Sequence, residues 1–226
     1  GTDTLSQSAP SLVSGVNSLS DGINTLDKAL KNPMSDEEAA KYKEAAKAGV
    51  DAKLAEIQKV DYDRIGERMY AEIVYVNCDA EATADKYVAL VQKAAALGRT
   101  LILGCSDPEI AKAALEVCKD SKPVLNGANA SNYEAMNAVA TAAGVVLGVS
   151  GKDLNELYDT TAAIEKLGNK NLVLDVTGAD IKETFGNAVQ VRRAALKDQD
   201  RTFGYPSIVN LAKIAGGDYH LQAGLA

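Results

Sequence analysis

Asparagines and one aspartate placed at the ends of apolar runs are the residues with chemistry to offer in this chain. Asn77 follows "EIVYV", Asn126 and Asn129 close or follow "PVLNG", and Asp175 and Thr177 do the same for "NLVLD". Cys78, Cys105, Ser106, Asp107 and Ser150 hold comparable places after their own runs. Amides, hydroxyls and a carboxylate suit hydrogen bonding to a polar ligand. No catalytic residue is assigned, because the set has no nucleophile–base pair and the only histidine, His220, lies near the end of the chain. No metal ligand is assigned either. Cys78 and Cys105 stand at successive strand ends where they can meet, but two cysteines without further ligands make a poor metal site. Simpler roles compete for several of these residues: Asp107, Ser131 and Asp153 suit helix caps, and Asn126 and Asp175 suit the bracing of loops.

These residues need strands and helices in alternation to position them. Apolar runs at 72–76, 100–104, 123–127, 145–149, 171–175 and 205–210 have the length and composition of buried strands. Amphipathic segments lie between them. Tyr87, Leu90, Val91 and Ala94 share a helical face, as do Ile110, Ala114, Leu115 and Cys118, and then Met136, Val139 and Ala140. Leu154, Leu157, Thr161 and Ile164 make a fourth face, and Phe185, Val189 and Leu196 a fifth. Asp107-Pro108 reads as an N-cap followed by proline at the first helical position. Ser131 with Glu134, and Asp153 with Glu156, read as capping boxes. Gly98, Gly144 and Gly168 suit left-handed helix ends.

Short connections in such an alternation imply a parallel sheet. An open doubly wound sheet and a barrel both fit it. "VNCDAEAT" after the first strand lacks phosphate-binding glycines, and the regular short units favour the barrel. Five units and the start of a sixth are visible over 60–226, against the eight that close a barrel. The fold class expected is therefore α/β, an incomplete TIM (β/α) barrel, with a truncated C-terminus. Arg192 or Arg193 is expected to pair with Asp198 or Asp200 while the other faces a partner. Glu67, ahead of the first strand, reads as structural.

Residues 1–59 have a different character. Leu5, Leu12, Val16, Leu19, Ile23, Leu26 and Leu30 follow a heptad beat among Ser, Asn, Asp and Gly. Asn32-Pro33 breaks that helix, and Ser35 with Glu38 reads as the box starting a second one over 36–58. An α-helical hairpin is expected, with no chemistry encoded in it. The character changes around Gln58 to Val60 without a Gly/Pro/Ser linker, which reads as a seam between two unrelated pieces.

Of the 226 residues, 46% are hydrophobic and 24% charged, ordinary for a globular protein. A net charge of −7 and the absence of Trp argue against a nucleic-acid surface. Three widely spaced cysteines fit a reducing compartment, so a cytoplasmic location is expected. No apolar run approaches the roughly 18–20 residues of a membrane span.

The order of motifs from about Val60 onward carries a resemblance. "DRIGERMYAEIVYV", "LILGCSDPEIAKAALEVCKDSKPVLNGANASNYEAM", "NLVLDVTG", "VQVRRAALKDQDRTFGYPSI" and "GGDYHLQAGLA" follow one another. Together they resemble the large (gamma) subunit of the corrinoid iron–sulfur protein, of the CO dehydrogenase/acetyl-CoA synthase or acetyl-CoA decarbonylase/synthase system. The resemblance implies a TIM barrel between a four-cysteine cluster domain and a corrinoid-binding domain. It implies a carrier that takes methyl from a methyl-tetrahydrofolate or methyl-tetrahydropterin and delivers it to acetyl-CoA synthase. The implied partners are the small subunit, a methyltransferase and the CO dehydrogenase/acetyl-CoA synthase. The implied cofactors, a corrinoid and a [4Fe–4S] cluster, belong to the intact protein. This chain alone is expected to hold neither, since Cys78, Cys105 and Cys118 lack cluster spacing. Pterin-binding barrels use Asn and Asp at strand ends. The expected ligand residues are therefore Asn77, Asn126, Asn129, Asp175 and Thr177, toward a pterin or a corrinoid amide. "LVSGVNSLSDGINTLDKAL" resembles heptad stretches of the YhgE/Pip membrane-protein family. That keeps two other readings open: a non-catalytic surface or membrane-associated interaction protein, and a pterin-binding barrel methyltransferase.

Overall fold

The computed structural model describes residues 36–78, 83–210 and 213–214, with side chains from residue 48 onward. The heptad segment, the Ser35 box and His220 lie outside the described residues. The chain divides between Ala55 and Glu56, and each part is taken by itself. Helix α1 (Asp36–Lys59) is the Ala/Lys/Glu-rich helix expected at 36–58. Its Val50, Leu54 and Ile57 are half-buried at helical spacing, while most residues between them are exposed.

Two short strands follow, β1 (Asp61–Arg64) and β2 (Glu67–Tyr70), paired antiparallel from Asp61↔Tyr70 to Arg64↔Glu67. This hairpin was not expected from the sequence. Its two-residue loop, Ile65-Gly66, has φ of 52° and 81°, the left-handed pair of a type I′ turn that matches strand twist. Arg68 forms a two-pronged bond to Asp61, with Nε donating to Oδ1 at 2.7 Å and Nη2 to Oδ2 at 2.5 Å. The guanidinium of Arg99 lies 4.7 Å from the Tyr70 ring centre, and so ties the hairpin to the start of the next sheet. Ile65 is 96% exposed and β-branched at positive φ, an expensive choice. Ile65→Asn is expected to stabilise the hairpin by about 0.5–1 kcal/mol, since Asn tolerates this conformation. Slower amide exchange across Asp61–Tyr70 is the readout, and unchanged or faster exchange would contradict it.

The main sheet has six parallel strands in chain order: β3 (Ile73–Asn77), β4 (Thr100–Gly104), β5 (Val124–Ala128), β6 (Val146–Val149), β7 (Leu172–Asp175) and β8 (Ser207–Ile208). Helices α2 (Ala84–Ala95), α3 (Pro108–Cys118), α4 (Tyr133–Ala143), α5 (Leu154–Lys166) and α6 (Ile181–Lys197) connect them. The strands read as unbroken apolar runs because both faces are covered. Leu101, Leu103, Leu125, Leu147 and Leu174 are fully buried. The helices bury Tyr87, Val91 and Ala94 (α2), Ala114, Leu115 and Cys118 (α3), Met136 and Ala140 (α4), and Leu157, Thr161 and Ile164 (α5), close to the expected faces.

Caps explain most boundaries. Asp107 accepts from the N–H groups of Glu109 and Ile110, with Pro108 opening α3. Asp153 accepts from Glu156, and Asp180 caps α6 in the same way through Glu183. Gly98, Gly144 and Gly168 have φ of 65°, 66° and 93°, as left-handed helix ends require. The Ser131–Glu134 box does not form. The Asn129 carboxamide oxygen takes both the backbone and the hydroxyl donors of Ser131, so α4 starts at Tyr133, one residue later than that box would place it.

Helix α6 departs from expectation. It buries Thr184 and Val191 against the sheet, whereas Phe185, Val189 and Leu196 are 55%, 49% and 64% exposed. The expected face instead lines a groove that extends to Val209, just past β8. Arg192 and Arg193 border that face, and among the described residues neither forms an ion pair with Asp198 or Asp200. The Asp200 carboxylate instead accepts from the N–H groups of Thr202 and Phe203.

Candidate functional site

A polar layer fills the C-terminal mouth of the sheet. It starts from Asp175, the last residue of β7, whose side chain is 2% exposed. Asp175 Oδ2 accepts from Asn126 Nδ2 of β5 at 2.9 Å, and Oδ1 accepts from the Thr177 hydroxyl at 2.6 Å and its N–H at 3.2 Å. Asn126 Nδ2 also donates to the Tyr75 hydroxyl of β3 at 3.3 Å. The Thr177 hydroxyl accepts from the Asn210 N–H at 2.8 Å, beyond β8, and Lys213 Nζ lies 3.8 Å from Asp175 Oδ2. Tyr75, Asn126 and Asp175 come from alternate strands, the arrangement in which side chains layer inside a barrel.

The strands between them leave room. A Cβ at Gly104 of β4 would lie 2.3 Å from the Tyr75 hydroxyl oxygen, and one at Gly148 of β6 only 2.4 Å from Asn126 Oδ1. Glycine on the even strands is therefore the condition for polar side chains on the odd ones. A β-bulge separates Asn126 from Ala128, with Gly127 at φ 140°, and aims Asn126 into the layer. The amide orientation of Asn126 follows from the carboxylate, which only accepts. Both Nδ2 protons are then engaged, and Oδ1 is buried without a partner. An unpaired buried acceptor costs about 1–3 kcal/mol, and a ligand N–H entering the mouth would relieve that cost.

Of the five expected ligand residues, Asn126, Asp175 and Thr177 come together. Asn129 does not join them, since its side chain is committed to the turn before α4. Asn77 is exposed at the end of β3, in register with Gly104. Tyr75, Asn210, Lys213 and the two spacer glycines belong to the site and were not read from the sequence. Glycine within an apolar run was the one available signal for the spacers. Asn132 was also missed: its Nδ2 donates to Ser106 O at 2.7 Å and Gly127 O at 3.1 Å, bracing two mouth loops.

A cleft of about 180 Å³ opens beside Asp175 and Thr177, bordered by Gly151, Asp153 and Glu183. A larger groove, about 500 Å³, runs along the exposed face of α6 and reaches Val209, just past β8. The thiols do not fit an iron–sulfur cluster, which needs four convergent cysteines. Cys118 Sγ donates to Ala114 O within its own helix, and no group of three metal-ligating side chains occurs among the described residues.

Burial sets the titration of several groups. It pushes Cys105 up to about 12 and Cys118 up to about 11, from 9.0. Tyr205 rises to about 12 from 10.0, through burial and then its hydrogen bond to Glu165. All three are neutral when protonated, so folding holds their protons. The stability they contribute is complete below about pH 9 and drains away as pH climbs toward 12. The urea midpoint is expected to fall across that window, and to fall less in Cys118→Ser. A flat profile from pH 9 to 12 would refute this.

Six parallel strands in chain order, each of the first five followed by a helix, define an incomplete (β/α) barrel. Its fold is similar to that of dihydropteroate synthase from Thermus thermophilus, with a TM-score of 0.51 and 18% identity over 69% of this chain and 70% of that one. The chain belongs to the CO dehydrogenase/acetyl-CoA synthase delta subunit family, whose sequence model matches residues 34–219. It is 36% identical to the corrinoid/iron-sulfur protein large subunit of Moorella thermoacetica, over 76% of this chain and 39% of that protein. It is 34% identical to the acetyl-CoA decarbonylase/synthase complex subunit gamma of Archaeoglobus fulgidus, over 55% of this chain and 27% of that protein. The chain thus spans about two fifths or less of these relatives' length. The family match begins ahead of the seam expected at 58–60, so α1 lies inside the matched region. No helix among the described residues is long and apolar enough to cross a membrane.

Proposed function

We propose that residues 60–226 are the barrel domain of a corrinoid iron–sulfur methyl carrier, preceded by a helical hairpin over 1–59. The carrier takes methyl from methyl-tetrahydrofolate or a methyl-tetrahydropterin and delivers it to acetyl-CoA synthase. The observation that carries this is the family match over 34–219, joined to relatives named as large or gamma subunits. In the intact protein a corrinoid, when bound, would supply the methyl-carrying chemistry. The barrel positions that protein against its small subunit, the methyltransferase and the CO dehydrogenase/acetyl-CoA synthase. Within it, Asn126 offers its unpaired Oδ1 to an amide N–H, Asp175 and Thr177 hold Asn126 in place, and Asn77 and Asn129 border the mouth. No step is assigned to a cluster on this chain, because its thiols do not fit one. The test is to express the intact gene and look for cobamide absorbance and methyl transfer from a methyl-pterin. A folded product with neither would overturn the proposal.

The unpaired Asn126 acceptor also supports a second reading, a pterin-binding barrel methyltransferase. Calorimetric titration of the chain with methyl-tetrahydrofolate separates the two. Micromolar binding that Asn126→Ala abolishes favours the methyltransferase, and no binding favours the carrier scaffold.

A further inference from the structure

Two thiols meet at the mouth. Asn77 of β3 pairs in register with Gly104 of β4, so Cys78 and Cys105, the next residues, leave adjacent parallel strands side by side. The Cys78 N–H donates to Gly104 O at 2.7 Å, which carries the pairing through to this point. Adjacent strands lie about 4.8 Å apart, within the roughly 4.4–6.8 Å that a disulfide spans between Cα atoms. Residues in register on parallel strands turn their side chains to the same face, and the two thiols are near enough for Cys78 to help push the Cys105 thiol up. Cys105 is 2% exposed, while Cys78 is reached by solvent. No disulfide joins any of the three cysteines. Cys118 is different: it is buried in α3 and bonds only to its own helix.

We infer that Cys78 and Cys105 are an oxidisable dithiol site that closes to a disulfide across the ends of β3 and β4 when it meets a low-molecular-weight disulfide. Cys78, the accessible partner, attacks one sulfur of the reagent as thiolate, forms a mixed disulfide and releases one reagent thiol. Cys105 then gives up its proton, attacks the Cys78 sulfur and expels the second reagent thiolate, which takes that proton. In sum, two protein thiols and one reagent disulfide become one protein disulfide and two reagent thiols. Burial keeps Cys105 protonated until Cys78 has been modified, which makes it the resolving partner. Closure frees the Asp107 carbonyl, which now accepts from Cys105 Sγ at 3.4 Å. It also stiffens the contact with β5, because the Cys105 N–H donates to Asn126 O at 2.9 Å. The site does not depend on the carrier reading.

The native chain, treated with oxidised glutathione, then denatured and alkylated, is the assay. Alkylated cysteines are expected to fall from three to one, with Cys118 alone labelled, a mass loss of about 2 Da and a Cys78–Cys105 peptide that reductant releases. Cys118→Ser should lose both remaining labels, whereas Cys105→Ser should stop at a glutathione adduct on Cys78. Three labels after oxidation of the wild type would overturn the inference. So would a lasting wild-type adduct on Cys78, or a disulfide that includes Cys118.

Discussion

Gly127→Ala is expected to cost about 3–5 kcal/mol of stability, near the upper end for a single methyl group. Two causes act at the same position. A Cβ there would lie 2.3 Å from the Cys105 carbonyl oxygen and 2.7 Å from its carbon, which are backbone atoms that cannot swing aside. The φ of 140° is also a conformation that L residues rarely adopt. Gly144 separates the causes, since its φ is 66° and no atom would lie within 4 Å of a new Cβ. Gly144→Ala should cost only about 1 kcal/mol. Urea unfolding followed by far-ultraviolet circular dichroism measures both variants. Equal losses would mean that the bulge on β5 yields and that the close approach to Cys105 is not a constraint.

Asp175→Ala is expected to cost about 3–4 kcal/mol. The carboxylate is buried and accepts from Asn126 and twice from Thr177, so its removal strands three donors. Asp175→Asn keeps the shape and some acceptor capacity, and should cost about half as much. A double-mutant cycle of Asn126→Ala with Asp175→Ala is expected to show coupling of about 1 kcal/mol or more. Strict additivity would show that the two side chains touch without supporting one another.

The sheet was largely legible because its signals are local. Each apolar run lies within a residue or two of a strand, and Asp107, Asp153 and the three helix-ending glycines mark boundaries through chemistry that acts over a few residues. The hairpin at Asp61–Tyr70 was not legible. All eight strand residues are exposed, so no alternation betrays them, and Ile65-Gly66 lacks the Asn-Gly signature of its turn. The site was half legible. Asn126 and Asn129 look equivalent in sequence, and only the bulge at Gly127 sends one into the layer while a turn takes the other. Tyr75 reads as an ordinary strand residue until Gly104 is seen to make room for it. On α6, helical periodicity found an apolar face without saying which neighbour it meets.

Strand order in the main sheet has a kinetic consequence. Pairings run from Ala128↔Val149, 21 residues apart, to Leu174↔Ser207, 33 apart, so each unit can dock on its predecessor as it emerges from the ribosome. The polar layer spans further: Asn126 reaches Asp175 across 49 residues and Tyr75 across 51. It needs three strands in place at once, so it is expected to form after the rate-limiting step. Asp175→Ala should therefore quicken unfolding in a chevron experiment and leave the refolding limb where it was.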